Sequence, residues 1–254
     1  MNATSPRLRL FTFAAPPRLY ALMGRLVPLC WLVAIGFALA GLYIGFFVAP
    51  TDRTQGDAYR IIFIHVPTAW MSMLLYLVMA FWAGIGWAFN ARMASVVARS
   101  IAPTGAMFTF LALWTGAFWG KPTWGTWWVW DARLTTELIL LFLYLGYISL
   151  VNAIDDRRRA DQAGALLALV GSINVPIIYF SVIWWNTLHQ GATISMTAAP
   201  KMADTMLTAM LLMTVACWAY AFAVVFTRAR AMTLEREAHT DWVGDLVGRT
   251  AGGK

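Results

Sequence analysis

Leu138-Ile139-Leu140-Leu141-Phe142-Leu143, with the earlier run Ala38-Leu39-Ala40-Gly41-Leu42-Tyr43, decides how this chain folds. Neither run alternates apolar with polar residues, so neither suits a barrel strand, which needs about 10 alternating residues. Both lie inside longer apolar stretches that reach the roughly 20 residues a helix needs to cross a hydrocarbon core. Six such stretches occur, at 26–48, 61–89, 101–119, 134–152, 163–186 and 203–227. Composition agrees, since 60% of the 254 residues are hydrophobic and 12% are charged, against about 25% charged in soluble domains. The expectation is an all-α polytopic membrane protein with six transmembrane helices. It is read as one domain over residues 1–254, because no internal repeat or low-complexity tract divides it.

The net charge of +7 does not point to nucleic acid, because the basic residues form short groups between apolar stretches, where they encode orientation. Arg7, Arg9, Arg18 and Arg25 precede the first stretch, and Arg92 and Arg99 lie between the second and third. Arg157, Arg158 and Arg159 lie between the fourth and fifth, and Arg228, Arg230, Arg236, Arg249 and Lys254 follow the sixth. These are 14 of the 19 Lys and Arg. Arg53, Arg60, Lys121, Arg133 and Lys201 are spread over the other three loops, so both termini are expected to be cytoplasmic. The first stretch is too long for the h-region of a signal peptide, about 7–15 residues. Cys30 and Cys217 fall inside apolar stretches, outside any C-x-x-C spacing, and read as buried apolar residues. Roughly the first 20 residues and the tail beyond Arg230 are polar and are expected to be loosely held at the cytoplasmic surface. Gly41-x-x-x-Gly45 offers a small-residue face, for packing inside the bundle or for docking another subunit.

Loop 3, residues 119–133, concentrates the aromatics: Trp119, Trp124, Trp127, Trp128 and Trp130 put five of the 14 tryptophans within twelve residues. An interfacial belt is one reading, since indole favours the headgroup region. A binding surface is the other, because the density is one-sided, with Trp184 and Trp185 expected on the same face. Gly120, Pro122 and Gly125 are expected to interrupt helix at the start of the loop. If the chain then turns helical, Trp124, Trp127, Trp128 and Asp131 stand at i, i+3, i+4 and i+7 on one face. Such a shelf suits a large planar apolar ligand, because indole rings stack offset on other π systems. Asp131 and Arg133 either close the shelf with charge or act locally, Arg133 pairing with Glu137 at i, i+4.

The chain has three histidines. His65 in Phe63-Ile64-His65-Val66-Pro67 and His189 in Leu188-His189-Gln190 are both expected on the outer side, whereas His239 falls in the tail. Zinc is a poor candidate because its sites take three or four protein ligands, and no cysteine or carboxylate cluster completes one. Haem iron needs one or two axial ligands, commonly His. Porphyrin adds a flat apolar face for tryptophan and two propionates for cations such as Arg60, Lys121 or Arg133. A bis-histidine b-type haem is therefore the ligand these residues suit best.

The segment Trp119-Gly120…Trp124-Gly125-Thr126-Trp127-Trp128-Val129-Trp130-Asp131 resembles the tryptophan-rich "WWD" signature of the haem-handling proteins of cytochrome c biogenesis. Two groups that carry it are longer chains with more spans. Length, six spans, the place of the signature and one outer histidine in each flanking loop are similar to the third group, haem exporter protein C, also called cytochrome c maturation protein C. The resemblance implies a multi-pass protein of the bacterial cell inner membrane that handles haem and is not an enzyme. It implies transient binding of haem b by His65 and His189 at the periplasmic face, on a platform of Trp119, Trp124, Trp127, Trp128, Trp130 and Asp131, and delivery to a periplasmic haem chaperone for c-type cytochrome maturation. The implied partners also include subunits of an ATP-binding cassette complex and a small membrane subunit. The chain itself has no Gly-x-x-x-x-Gly-Lys-Ser/Thr motif, so ATP use falls to a partner. Two rival readings stand beside this one. A transporter moving haem or another solute through the bundle would want ionisable or broken-helix features near the midplane, and Asn174 with Pro176 are the features seen. A membrane electron carrier would want a second, inner histidine pair, which the sequence lacks.

Overall fold

The computed structural model of the chain describes residues 15–185, 187–189 and 202–251. The expected orientation residues Arg7, Arg9, Lys201 and Lys254 lie outside the described residues, as does the side chain of Arg249. Helix α1 spans Pro16–Tyr43 and ends in a π turn, Ile44–Val48. A short 3-10 turn, Asp57–Ile61, leads into α2, Ile62–Phe89. Helix α3 covers Arg92–Trp124, α4 Ala132–Ala153, α5 Arg157–Gly171 and α6 Asn174–Trp184. Helix α7 covers Asp204–Arg236 and α8 Asp241–Ala251. The elements combine into six spans long and apolar enough to cross a membrane, and no strand occurs among the described residues. Helices are the expected solution in lipid, where each backbone polar group must be satisfied within its own segment.

Helix α2 packs along α3, and α1 packs along α7. The α2–α3 pair forms the centre of the bundle, where Tyr76, Met79, Leu140, Tyr144 and Ile178 are fully buried. Lipid is as apolar as leucine, so close fit and interhelical hydrogen bonds hold such helices together. The Tyr144 hydroxyl donates to the Ser72 carbonyl at 2.8 Å, joining α4 to α2. Gly41 and Gly45 serve packing inside the bundle. A Cβ on Gly41 would stand 2.8 Å from Met213 Cγ of α7, and one on Gly45 would stand 2.6 Å from the Phe63 ring.

Three expectations need correction. The fifth stretch is two helices, because Pro176 has no N–H to donate and the chain turns at Ser172-Ile173 before α6. The Asn174 amide donates to the Thr136 carbonyl at 2.9 Å, tying this break to α4. The tail beyond Arg230 is not loose. Helix α7 continues to Arg236, and α8 returns Trp242 against Tyr20 of α1, with ring centroids 5.7 Å apart. Likewise, helix α1 already begins at Pro16, a residue whose fixed φ suits a first helical position.

Replacing Gly41 by Leu is expected to lower stability by about 1–3 kcal/mol through overpacking, read from thermal unfolding of the solubilised protein. A Cβ on Gly36 meets nothing within 4 Å, so Gly36→Ala should unfold within about 1 kcal/mol of the parent. An unchanged Gly41→Leu would contradict the α1–α7 contact.

Candidate functional site

His65 lies in the first turn of α2 and is buried against α3. Its Nδ1 is 3.1 Å from the Thr115 hydroxyl, and that hydroxyl donates to the Leu111 carbonyl at 2.6 Å. With its proton so engaged, the Thr115 oxygen is left to accept, which assigns the proton of His65 to Nδ1 and leaves the Nε2 lone pair for a ligand. Gly116 makes the room: a Cβ there would stand 3.0 Å from His65 Cε1. The Trp119 ring meets His65 edge-on at 5.5 Å and Tyr59 at 5.7 Å, and its indole N–H donates to Gln55 Oε1 at 2.7 Å.

The His189 ring lies 6.2 Å from the His65 ring, centroid to centroid, and 6.2 Å from the Trp124 ring. The structure thus brings together four sequence-predicted residues, His65, His189, Trp119 and Trp124, from three regions far apart in the chain. With Arg133 they line a cleft of about 50 Å³, within about 630 Å³ of empty space that opens to solvent. Arg133 spends one N–H group on the Ile178 carbonyl of α6 at 2.7 Å.

The other predicted residues are placed elsewhere. Helix α3 runs through Gly120 and Pro122 to Trp124, where Gly125 at φ +79° closes it with its N–H on the Lys121 carbonyl. Residues 125–131 are then non-helical, so the single face expected for Trp124, Trp127, Trp128 and Asp131 does not form. Glycine at the left-handed position lets the helix stop there without strain. Trp127 turns outward, half exposed, with its ring on Phe118 at 5.4 Å and the Lys121 ammonium 6.0 Å away. Trp128 and Trp130 pack edge-on at 5.4 Å, and Trp130 is 77% exposed. Trp127, Trp130, Trp184 and Trp185 thus project as belt residues do, whereas Trp119 and Trp124 face the cleft. Asp131 caps α4 by accepting from the Leu134 N–H at 2.8 Å. Its Oδ2 and the Trp128 indole N–H are buried without hydrogen-bond partners among the described residues. Arg60 staples the π turn, donating to the Gly45 and Ala49 carbonyls at 2.7 and 3.1 Å and pairing with Asp57 at 2.9 Å. It does not line the cleft.

Sequence reading missed Thr115, Gly116, Ser72 and the role of Glu137. Thr115 and Gly116 lie inside an apolar span, and only the α2–α3 crossing brings them to His65. One of the two readings of Arg133 pairs it with Glu137 at i, i+4. The structure instead buries the Glu137 carboxyl against α2, where it accepts from the Ser72 hydroxyl at 2.7 Å, and the described ion pairs do not include Arg133 with Glu137. Both side chains line the cleft. A carboxylate inside a span is a signal in itself, since such groups are rare and face the bundle interior.

A family model described as "Heme exporter protein C" matches residues 9–244. The chain is similar to Heme exporter protein C of Escherichia coli strain K12, at 53% identity over 184 residues, covering 72% of this chain and 75% of the relative. It is similar to the Haemophilus influenzae protein of that name at 42% identity over 243 residues, covering 94% and 97%. The Bradyrhizobium diazoefficiens protein of that name is 44% identical over 234 residues, covering 91% and 85%.

Removing the Ser72 hydroxyl leaves a buried carboxyl without its hydrogen bond. Ser72→Ala should therefore cost about 1–3 kcal/mol in thermal unfolding, whereas Ser72→Thr keeps the donor and should cost less. Equal stability of Ser72→Ala and the parent would show that Glu137 finds another partner.

Proposed function

The chain belongs to the haem exporter protein C family, a multi-pass inner-membrane protein family, and from that premise we propose that it binds haem b at the periplasmic face and delivers it to a periplasmic haem chaperone. The family's role is haem export for cytochrome c maturation, a transport and handling function. His65 and His189 are the iron ligands in this reading. The carrying observation is their 6.2 Å centroid separation. Two imidazoles at this separation in one cleft would both be able to reach a single haem iron, which commonly takes histidine ligands.

The donor set also fits. Thr115 holds the His65 tautomer whose Nε2 carries the lone pair, the kind of outer hydrogen bond that orients metal-binding imidazoles. Trp119 and Trp124 supply apolar walls, and Arg133 is the cleft cation suited to a propionate. The cleft opens to solvent, so haem held there would keep an exposed edge. An exposed edge is what hand-over to a chaperone requires. When bound, the group would supply an iron centre for the histidines and two propionates for cations such as Arg133. In this reading the end that carries the cleft is periplasmic and both termini are cytoplasmic. The basic residues Arg92, Arg157, Arg158 and Arg236 gather at the other end, as the positive-inside bias requires.

The chaperone, the ATP-binding cassette subunits and the small membrane subunit remain its proposed partners. Passage of haem or another solute through the bundle is less well supported, because Tyr76, Leu140 and Tyr144 fill the core below Glu137.

The protein purified from haem-replete cells should show b-type haem absorbance. His65→Ala and His189→Ala should each lose most of it, and added imidazole should restore part. Thr115→Val should weaken haem retention by about 10–100-fold while leaving the fold intact. Trp124→Leu should reduce retention more than Trp184→Leu, which alters only the exposed rim. An unchanged spectrum and normal c-type cytochrome yield in both histidine variants would sink the ligand assignment.

A further inference from the structure

At the end of the bundle away from His65, a second, open cavity of about 750 Å³ lies between several helix ends. The start of α1, the α2–α3 turn, the first turns of α3 and α5 and the last turn of α7 form its walls. Four arginines line it, Arg92, Arg157, Arg158 and Arg236, against two carboxylates, Asp161 and Glu237. Asp161 is already committed. Arg236 grips it with two bonds of 2.9 and 3.0 Å, and Arg99 approaches at 3.4 Å.

The remaining arginines are poorly matched. Arg92 stands 3.8 Å from Glu237 and Arg157 stands 3.7 Å from Glu235, both beyond hydrogen-bonding distance. Arg158 makes a long 3.3 Å bond to Asn90. The Arg92 and Arg157 side chains are 83% and 55% exposed, free to swing onto a ligand. The cavity also receives the start of α3, whose N-cap Ala91 has no side chain to accept from the first N–H groups. That end carries partial positive charge. The surplus of donors and positive charge selects a phosphate-bearing anion.

The cavity's position selects the source. It lies among the ends of the candidate spans, those ending at Phe89 and Arg236 and those starting at Arg92 and Arg157, and span ends face the headgroup layer of a bilayer. Its other wall is apolar, with Pro16, Trp87, Met93 and Val96, which suits the glycerol and upper acyl chain of a lipid better than a free ion. Basic pockets between helices at this level hold anionic headgroups. We infer that this cavity binds the phosphate headgroup of an anionic phospholipid.

The full-length protein, delipidated in neutral detergent, is titrated with phosphatidylglycerol, with phosphatidylcholine and with inorganic phosphate. Thermal unfolding and native mass spectrometry report binding. Phosphatidylglycerol should bind and raise Tm, and phosphatidylcholine should not. Arg157→Gln/Arg158→Gln should weaken phosphatidylglycerol binding by about fivefold for each arginine removed, while the lysine pair retains most of it. Arg92→Gln gives a second, separate test if the double variant fails to fold. Arg53→Gln, at the opposite end, removes the same single charge as Arg92→Gln but outside the cavity, and should bind as the parent does. Equal binding of the two lipids, parent-like binding by the arginine variants, or an equal loss in Arg53→Gln overturns the site. A response to inorganic phosphate as large as that to phosphatidylglycerol overturns the lipid source and makes a free anion the occupant.

Discussion

The contact between His65 and the Thr115-Gly116 step of α3 is the constraint on which the site depends. A histidine ring in the first turn of a membrane helix needs a polar partner and room, and α3 supplies both in adjacent residues. The Thr115 oxygen accepts at 3.1 Å and Gly116 leaves the space that a side chain would occupy. This requires α2 and α3 to run closely side by side, which the two-residue turn at Asn90-Ala91 arranges. Asn90 closes α2 in the left-handed conformation at φ 49°, one of the few residue types that adopt it at low cost.

The polar groups of the bundle are distributed by the same rule. Inside the spans several are tied to a neighbour: Ser72 to Glu137, Tyr144 to the Ser72 carbonyl, Asn174 to Thr136, and Arg133 to Ile178. These bonds join α2, α4 and α6 around the floor of the cleft. A low dielectric makes an unpaired group expensive and a paired one stiff, so the histidine end has a fixed floor beneath an open mouth. The arginine end is built differently. One buried cluster, Asp161 with Arg236 and Arg99, locks α3, α5 and α7 together, and the exposed arginines around it remain available.

The tryptophans divide between two positions that one sequence motif combines. Trp119 and Trp124 belong to the last turns of α3 and follow that helix to the cleft. Beyond Gly125 the backbone leaves the helix, and Trp127 and Trp130 face outward. Belt and cleft wall are therefore not alternatives for this segment. Consecutive stretches of it supply each.

The helical class and the six spans are legible in the sequence alone, because a bilayer forces apolar length and internal hydrogen bonding on every crossing segment, and the tryptophan-rich signature makes the family legible too. The sequence also singled out His65, His189, Trp119 and Trp124, since rare residue types clustered at span ends are visible without coordinates. Other features depended on helix crossings that no local pattern reports. Thr115 and Gly116 look like ordinary span residues until α2 lies against them, and Glu137 looks like an i, i+4 partner of Arg133 until Ser72 is seen to face it. The expected tryptophan helix failed for a related reason. Gly125, read as one of three breakers that end the preceding helix early, is the cap that lets α3 run on to Trp124. Arg60 looked available for a ligand, yet tertiary structure sets it on the carbonyls of the π turn. Periodicity and composition are carried by single segments, whereas the partner of a buried polar group is chosen by which helices meet. The tertiary structure therefore decided the floor of the cleft and the arginine-lined cavity at the far end.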